Sequence, residues 1–273
     1  MIPLWTSAEI AAATGGSASA AFDVTGVTFD SREVAAGDLF VAMPGTVHDG
    51  HAFVDRAFAV GAAGALVSHP IKQPHVLVAD VAEALIALGE AARARTSAKV
   101  IGVTGSVGKT STKEALFAAL ERGAPGRVHR SVKSYNNHTG VPLSLARMPR
   151  DSLYAVLELG MSNRGEIAAL TRQVRPHLAL VTAIAPAHIE TLGSEQAIAD
   201  AKAEIFEGLE PDGTAIIPDT TPHRGRLLRV ARRHAGQTIS FGGEGGDVHA
   251  IHAVAAEHGG SLITAALMEC ELT

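Results

Sequence analysis

The chain has 273 residues, 47% of them hydrophobic and 19% charged, with a formal net charge of −5. This length exceeds one ordinary domain, and the apolar content is enough for packed cores. A disordered chain is therefore excluded and two domains are expected. The acidic balance lacks the basic face of a nucleic-acid coat, so no nucleic-acid partner is expected.

Cys270 is the single cysteine, which excludes a disulfide within the chain and fits a reducing compartment. The opening residues Met1 to Trp5 lack the basic and apolar regions of a signal peptide, and the apolar stretch from Phe58 to Val67 is too short to cross a bilayer. A cytoplasmic protein without membrane insertion is the expectation. Aromatics make up only 4%, so aliphatic side chains must fill the interior.

In chain order, Thr6 and Glu9 form a capping-box pair ahead of a short helix that Gly15-Gly16 ends. Strands follow at Val24 to Phe29 and Leu39 to Ala42, then a helix over Phe53 to Val60. Two short strands come next, at Ala65 to Val67 and Val76 to Val78. Asp80 and Glu83 cap a helix running to about Arg95. A boundary near Ser97 divides the chain into a small α/β domain, 1–97, and a second domain, 98–273. In the second, apolar runs at Val100–Val103, Tyr154–Leu157, Leu178–Val181 and Ala215–Ile217 alternate with helical stretches. That pattern predicts a mostly parallel sheet flanked by helices, with ligands at the carboxyl ends of its strands. Near the end, Val248–Ala255 and Leu262–Leu267 flank Gly259-Gly260 as a hairpin, after which the chain stops without a finishing element.

Thr104-Gly105-Ser106-Val107-Gly108-Lys109-Thr110 lies between an apolar strand and a helical run that begins at Ser111. In this context the glycines let backbone N–H groups close on phosphate oxygens, and the helix N-terminus adds positive partial charge. Lys109 reaches the terminal phosphates and the Thr110 hydroxyl suits Mg²⁺. A glycine-rich turn is the alternative. Val103 stands where the longer phosphate-loop pattern has its first glycine, so the spacing fits the shorter form T-G-x-x-G-K-T.

That shorter loop resembles the Mur ligase superfamily. Further segments follow in the superfamily's order: Asn136-Asn137-His138-Thr139-Gly140-Val141-Pro142, Glu158-Leu159-Gly160, Ala187-His188-Ile189-Glu190 and Ala201-Lys202-Ala203-Glu204-Ile205-Phe206. Asp30-Ser31-Arg32, Gly37 to Ala42 and Asp49-Gly50-His51 resemble the UDP-binding domain shared by MurE and MurF ligases. The run Glu158 to Ile167, with Gly165-Glu166-Ile167, is similar to the MurF type, as are Ser111 and Lys113.

The resemblance implies an ATP-dependent amide ligase of peptidoglycan precursor synthesis. It would add D-alanyl-D-alanine to UDP-N-acetylmuramoyl-tripeptide through an acyl phosphate. ATP would sit on residues 104–111, with two Mg²⁺ ions held by Thr110, Glu158, His188 and Lys202, the lysine carbamylated. Lys109, Glu158, His188 and Lys202 would form the catalytic group. Ser31, Arg32, Asp49, Gly50, His51 and Asn137 would hold the UDP-linked substrate. Loop capping is the other reading of Asn137, turn capping that of Ser31 and Arg32, and surface exposure that of Glu158 and Lys202. The family's C-terminal domain is absent from the expected layout, implying a chain that binds but turns over poorly. Pro218 stands where the family has an Asn near the nucleotide base, with Asp219 next to it. A MurE-like ligase and a generic P-loop NTPase or phosphotransferase are the rival readings.

Overall fold

In the computed structural model, which describes residues 3–45, 49–187, 189–243, 245–255, 261–267 and 270–272, the expected capping box is formed. The Glu9 amide donates to Thr6 Oγ1 at 3.2 Å and the Thr6 amide to Glu9 Oε2 at 2.9 Å. Gly15 then takes a left-handed conformation and ends the helix. The chain divides into two units, Met1–Ala98 with Ala124–Ala155, and Lys99–Gly123 with Val156–Thr273.

The first unit opens with β1 (Trp5–Thr6), α1 (Ser7–Thr14), β2 (Ser17–Ala18), β3 (Asp23–Val24), β4 (Gly26–Thr28) and β5 (Asp38–Val41). A 3₁₀ turn over Gly50–Phe53 leads into α2 (Val54–Ala59), followed by β6 (Gly64–Val67), β7 (His75–Leu77) and α3 (Val81–Ala94). The sheet runs β2-β7-β6-β5-β4, parallel except for β2. Every residue of β5 and β6 is buried, as strands covered on both faces require. On α3, Val81, Ala84, Leu85, Leu88 and Ala92 recur at helical spacing and are buried against Leu39, Val41, Leu66 and Val76.

The second unit begins with β8 (Lys99–Thr104) and α4 (Lys109–Gly123). The chain then returns to the first unit for β9 (Val128–Arg130) and α5 (Gly140–Ala146), and comes back through β10 (Tyr154–Glu158). Thereafter come α6 (Glu166–Val174), β11 (Leu178–Val181), α7 (Ile189–Leu192), α8 (Glu195–Ala203), a 3₁₀ turn over Glu204–Gly208 and β12 (Thr214–Pro218). The last elements are α9 (Arg224–His234), β13 (Gln237–Gly242), β14 (Val248–Ala255), β15 (Ser261–Leu267) and β16 (Cys270–Leu272). Strands lie in the order β16-β15-β14-β13-β12-β11-β8-β10. Pairings from β8 through β11, β12 and β13 to β14 are parallel, and β14-β15-β16 is an antiparallel meander. Leu116 and Leu120 of α4 close one face over Ile101, Val103 and Val156.

Besides the strand expected at Val24 to Phe29, which is two strands, β3 paired with β1 and β4 at the edge of the first unit's larger sheet, three features differ from the sequence reading. Segment 124–155, assigned above to the second domain, groups with the first unit. The cause is α5, buried along its whole length, whose Leu143 and Ala146 join the core that α3 covers. Gly89 of α3 makes that approach possible: a Cβ there would lie 2.9 Å from the Pro142 carbonyl oxygen. The Trp5 indole N–H adds a 2.8 Å bond to the Ala146 carbonyl. Second, the chain does have a finishing strand, since β16 pairs with β15. Third, β13 extends the parallel sheet although its run alternates Thr, Ile, Ser and Phe rather than being continuously apolar. The expected hairpin between β14 and β15 has its strands in place, while its glycine turn at 259–260 lies outside the described residues. Among the described residues, no helix is long and apolar enough to cross a membrane.

Candidate active site

β8 ends at Thr104 and α4 starts at Lys109, so the expected phosphate loop occupies the intervening turn at the carboxyl edge of the sheet. Gly105 has φ +148° and Gly108 φ +83°. Side chains rarely adopt these values, and a Cβ on Gly105 would lie 1.9 Å from Thr182 Oγ1. The loop is laced to the segment after β11. The Ser106 amide donates to the Ala183 carbonyl at 2.8 Å, and Ser106 Oγ donates to the Ala185 carbonyl at 2.9 Å. The Ala185 amide returns a 3.0 Å bond to Ser106 Oγ. Thr104 is fully buried and its carbonyl accepts from the Thr182 amide at 2.8 Å. Val107 and Ser111 are exposed. Lys109 Nζ donates to the Gly105 carbonyl at 2.8 Å, folding the ammonium across the loop. Burial lowers its pKa, against the pull of the Glu158 charge.

Glu158, the last residue of β10, is 1% exposed. A carboxylate buried this far needs partners. Thr110 Oγ1 donates to its Oε2 at 3.0 Å, and Lys113 Nζ lies 3.9 Å from the same oxygen. Lys113 is itself fully buried and pairs with Glu114 at 3.2 Å. The surface reading of Glu158 is therefore wrong. The Thr110 hydroxyl and the Glu158 carboxylate are two hard oxygen donors side by side, the kind Mg²⁺ takes. No three His, Cys, Asp or Glu side chains form a cation cage among the described residues. Mg²⁺ bound through one or two carboxylates with waters and phosphates needs none, so this pair fits it.

Lys202 lies on the last turn of α8 and is 1% exposed, which removes the surface reading for it as well. Burial first, and the Lys109 charge second, push its pKa down to about 8, against Glu204 and Glu166. Glu204 reaches the start of α6, accepting from the Gly165 amide at 2.9 Å and the Ala168 amide at 3.2 Å. Glu166 accepts from the Ser162 amide at 2.7 Å and Asn163 Nδ2 at 2.8 Å. The Gly-Glu-Ile segment thus owes its shape to two carboxylates, one of them from the lysine's own motif. His188 lies outside the described residues.

In the first unit Ser31 and Arg32 follow β4, and Asp49, Gly50 and His51 follow β5, at the carboxyl ends of parallel strands, while Asn137 lies ahead of α5. Their polar atoms are largely engaged. Arg32 chelates Asp30 through Nε at 2.9 Å and Nη2 at 2.6 Å, while 76% of its side chain stays exposed. That pairing holds the Asp30 carboxyl down at about 2. Ser31 sits half-buried in the same turn. Asp49 Oδ1 accepts from the His51 amide at 3.0 Å and lies 2.6 Å from His51 Nδ1. His51 Nε2 accepts the Ser68 amide at 3.0 Å, so Nδ1 carries the proton that Asp49 receives. Gly50 fits under the Met43 carbonyl, where a Cβ would come within 2.6 Å. Asn137 Oδ1 accepts from the Gly140 amide at 2.9 Å and Thr139 Oγ1 at 3.0 Å, which is the loop-capping role. Asp219, next to Pro218, is bound to Arg224 Nε at 2.6 Å.

Thr182 and Glu204 were not singled out as site residues by the sequence. Thr182 acts through backbone groups that carry no motif letter, so only its three-dimensional neighbours reveal it; Glu204 belongs to the Lys202 motif, but its role shows only in its bonds to the Gly165 and Ala168 amides.

The family model described as "Mur ligase middle domain" matches residues 103–272, and "Mur ligase family, catalytic domain" matches 23–104. The chain belongs to the Mur ligase family. Among curated relatives, the UDP-N-acetylmuramoyl-tripeptide–D-alanyl-D-alanine ligase of Synechocystis is 39% identical over 83% of this Mur ligase chain and 50% of its own length. The enzyme of that name from Bacillus subtilis is 40% identical, over 80% of this chain and 47% of its own. This chain thus spans about half the length of the curated relatives it matches. A crystal structure of MurF from Acinetobacter baumannii superposes with a TM-score of 0.84 at 33% identity, over 99% of this chain and 60% of that one. MurF of Thermotoga maritima, solved with ADP, gives 0.73 at 30% identity, over 89% of this chain and 56% of that one.

Proposed function

We propose that this Mur ligase chain binds ATP and UDP-N-acetylmuramoyl-tripeptide and belongs to an enzyme that joins D-alanyl-D-alanine to that tripeptide in the cytoplasm. The observation that carries the reading is the phosphate loop with Lys109 across it and the Thr110–Glu158 pair beside it, all at one strand edge. A carboxylate is a poor electrophile. Its oxygen attacks the ATP γ-phosphorus, ADP leaves, and the carboxylate becomes an acyl phosphate. The dipeptide amine attacks the acyl carbon, loses a proton, and phosphate departs as the amide forms. Lys109 would neutralise phosphoryl charge, and the loop amides would orient it.

Bound Mg²⁺ would add Lewis-acid charge neutralisation. Thr110 and Glu158 would hold one ion, and His188 with Lys202 would help hold a second. Burial supports the carbamylation of Lys202: an amine pushed down to about 8 is substantially neutral near that pH, and the neutral amine is the form that adds CO₂ and releases a proton. Arg32 would meet the UDP phosphates with its exposed edge while Asp30 holds the other. His51, with both ring nitrogens engaged, would shape the loop, and Asn137 would set the start of α5.

A generic NTPase explains Lys109 but gives no role to Asp30-Ser31-Arg32 or to buried Lys202. A MurE-like ligase is disfavoured by the MurF-named relatives and structures. Calorimetric titration with UDP-N-acetylmuramoyl-tripeptide, with free UDP alongside, tests the reading. Saturable binding that Arg32→Ala weakens about tenfold supports it. ADP binding without any response to the UDP-peptide would instead leave a plain nucleotide-binding protein.

A further inference from the structure

We infer that Thr182 is a positioning residue for nucleotide binding: its hydroxyl fixes the Val107–Gly108 peptide so that the Gly108 N–H is turned to the phosphate. The inference rests on the phosphate-loop reading above and adds a residue that no loop motif contains.

Thr182 follows β11, the strand beside β8 in the sheet. Its Oγ1 lies 2.6 Å from the Val107 carbonyl oxygen and 3.2 Å from that of Thr104. A hydroxyl has one hydrogen, so the shorter contact takes it. In a trans peptide the carbonyl and the following N–H point in opposite directions. Drawing the Val107 oxygen toward Thr182 therefore sends the Gly108 N–H away from Thr182, and in the phosphate-loop reading that is the side on which phosphate would bind. Gly108 permits this with φ +83°, and having no Cβ it restrains that peptide little when nothing else holds it. The neighbouring contacts share the task. Ser106 exchanges two side-chain bonds with the backbone of Ala185 and one amide bond with Ala183. Loop residues 104–107 and segment 182–185 are thus one laced body.

A threonine that only stabilises the fold would make the same contacts, and the test separates the two roles. The chain and its T182V, T182S and T182A variants are titrated with ADP in the presence of Mg²⁺, with K109A as the reference for lost loop binding. T182V replaces the donor with a methyl that cannot approach the Val107 oxygen to 2.6 Å. It is expected to weaken ADP about tenfold, the value of one net hydrogen bond. T182S, which keeps the hydroxyl, restores affinity to within about twofold, whereas a merely structural role lowers the thermal midpoint of T182V and leaves its ADP affinity unchanged. Should T182V lose its cooperative thermal transition, T182A removes the hydroxyl without the misplaced methyl and is read the same way. ADP binding by T182V, or by T182A in its place, within about twofold of the unsubstituted chain overturns the assignment while leaving the nucleotide reading intact. Absence of ADP binding by the unsubstituted chain overturns both.

Discussion

The two units use their motifs differently. At the phosphate loop the bonds that hold Thr104, Ser106 and Val107 come from outside the motif, from Thr182, Ala183 and Ala185, and Lys109 bonds within it, to Gly105. In the first unit the motif residues hold one another: Arg32 is bound to Asp30, His51 to Asp49 and Ser68, and Asn137 to Thr139 and Gly140. A recurring letter can therefore mark either a group that touches substrate or a group that shapes the loop doing so. Only the atoms each side chain bonds tell which.

The sharpest way to break this contrast is at Lys109. If Lys109 meets phosphate as proposed, K109A removes that charge-assisted contact while removing only one bond of the loop backbone, its own to Gly105. ADP affinity should fall about a hundredfold with the thermal midpoint nearly unchanged; a large stability loss with unchanged affinity would make Lys109 a structural residue.

A second effect concerns acid stability in the first unit. Burial pushes His129 down to about 4, against the bond to the Ser144 carbonyl at 2.7 Å. Its folded pKa lies below the ordinary value of about 6.5, so the unfolded chain binds the extra proton between these limits. Stability from this group is full above pH ~6.5 and is lost as the pH falls toward 4. The loss reaches about 3 kcal/mol at most, less in proportion to the water reaching the partly exposed ring. Denaturant melts from pH 7 to 4 should show a shallower decline for H129Q, which keeps a donor but does not titrate. Parallel declines would contradict the assignment.

His51→Ala sharpens the contrast from the other side. Loss of the Asp49 and Ser68 contacts should cost about 1–2 kcal/mol, a midpoint shift of several degrees, because the Ser68 amide loses its acceptor. If H51A lowers affinity for the UDP-peptide with no shift in midpoint, the ring is a ligand contact after all. The smallest expected change is at the capping box, where T6A should cost about 1 kcal/mol in the same melts.

Much of this was legible in the sequence where local chemistry decides. Thr6 and Glu9, Asp80 and Glu83, the four apolar strands of the second unit and the phosphate loop each carry their cause within a few residues. The assignment of 124–155 to the first unit was not legible, because α5 is apolar all round and its sequence does not name the helix it packs on. β16 was missed because a strand at the edge of a sheet needs no continuous apolar run, and β13 because, although it lies between β12 and β14, most of its residues are only partly buried. Glu158 and Lys202 were readable as candidates, but their burial, which decides between surface and site, depends on the tertiary neighbours. Thr182 bonds to carbonyls that every residue possesses, and no side-chain pattern could have pointed to it.

The central claim is that the loop from Thr104 to Ser111 binds a nucleotide's phosphates with Lys109 across them. Side-by-side calorimetric titration of ADP with Mg²⁺ into the chain and into K109A tests it most directly. The account predicts saturable, one-to-one binding that weakens about a hundredfold in the variant. Equal binding by both proteins, or none by the unsubstituted chain, would contradict it.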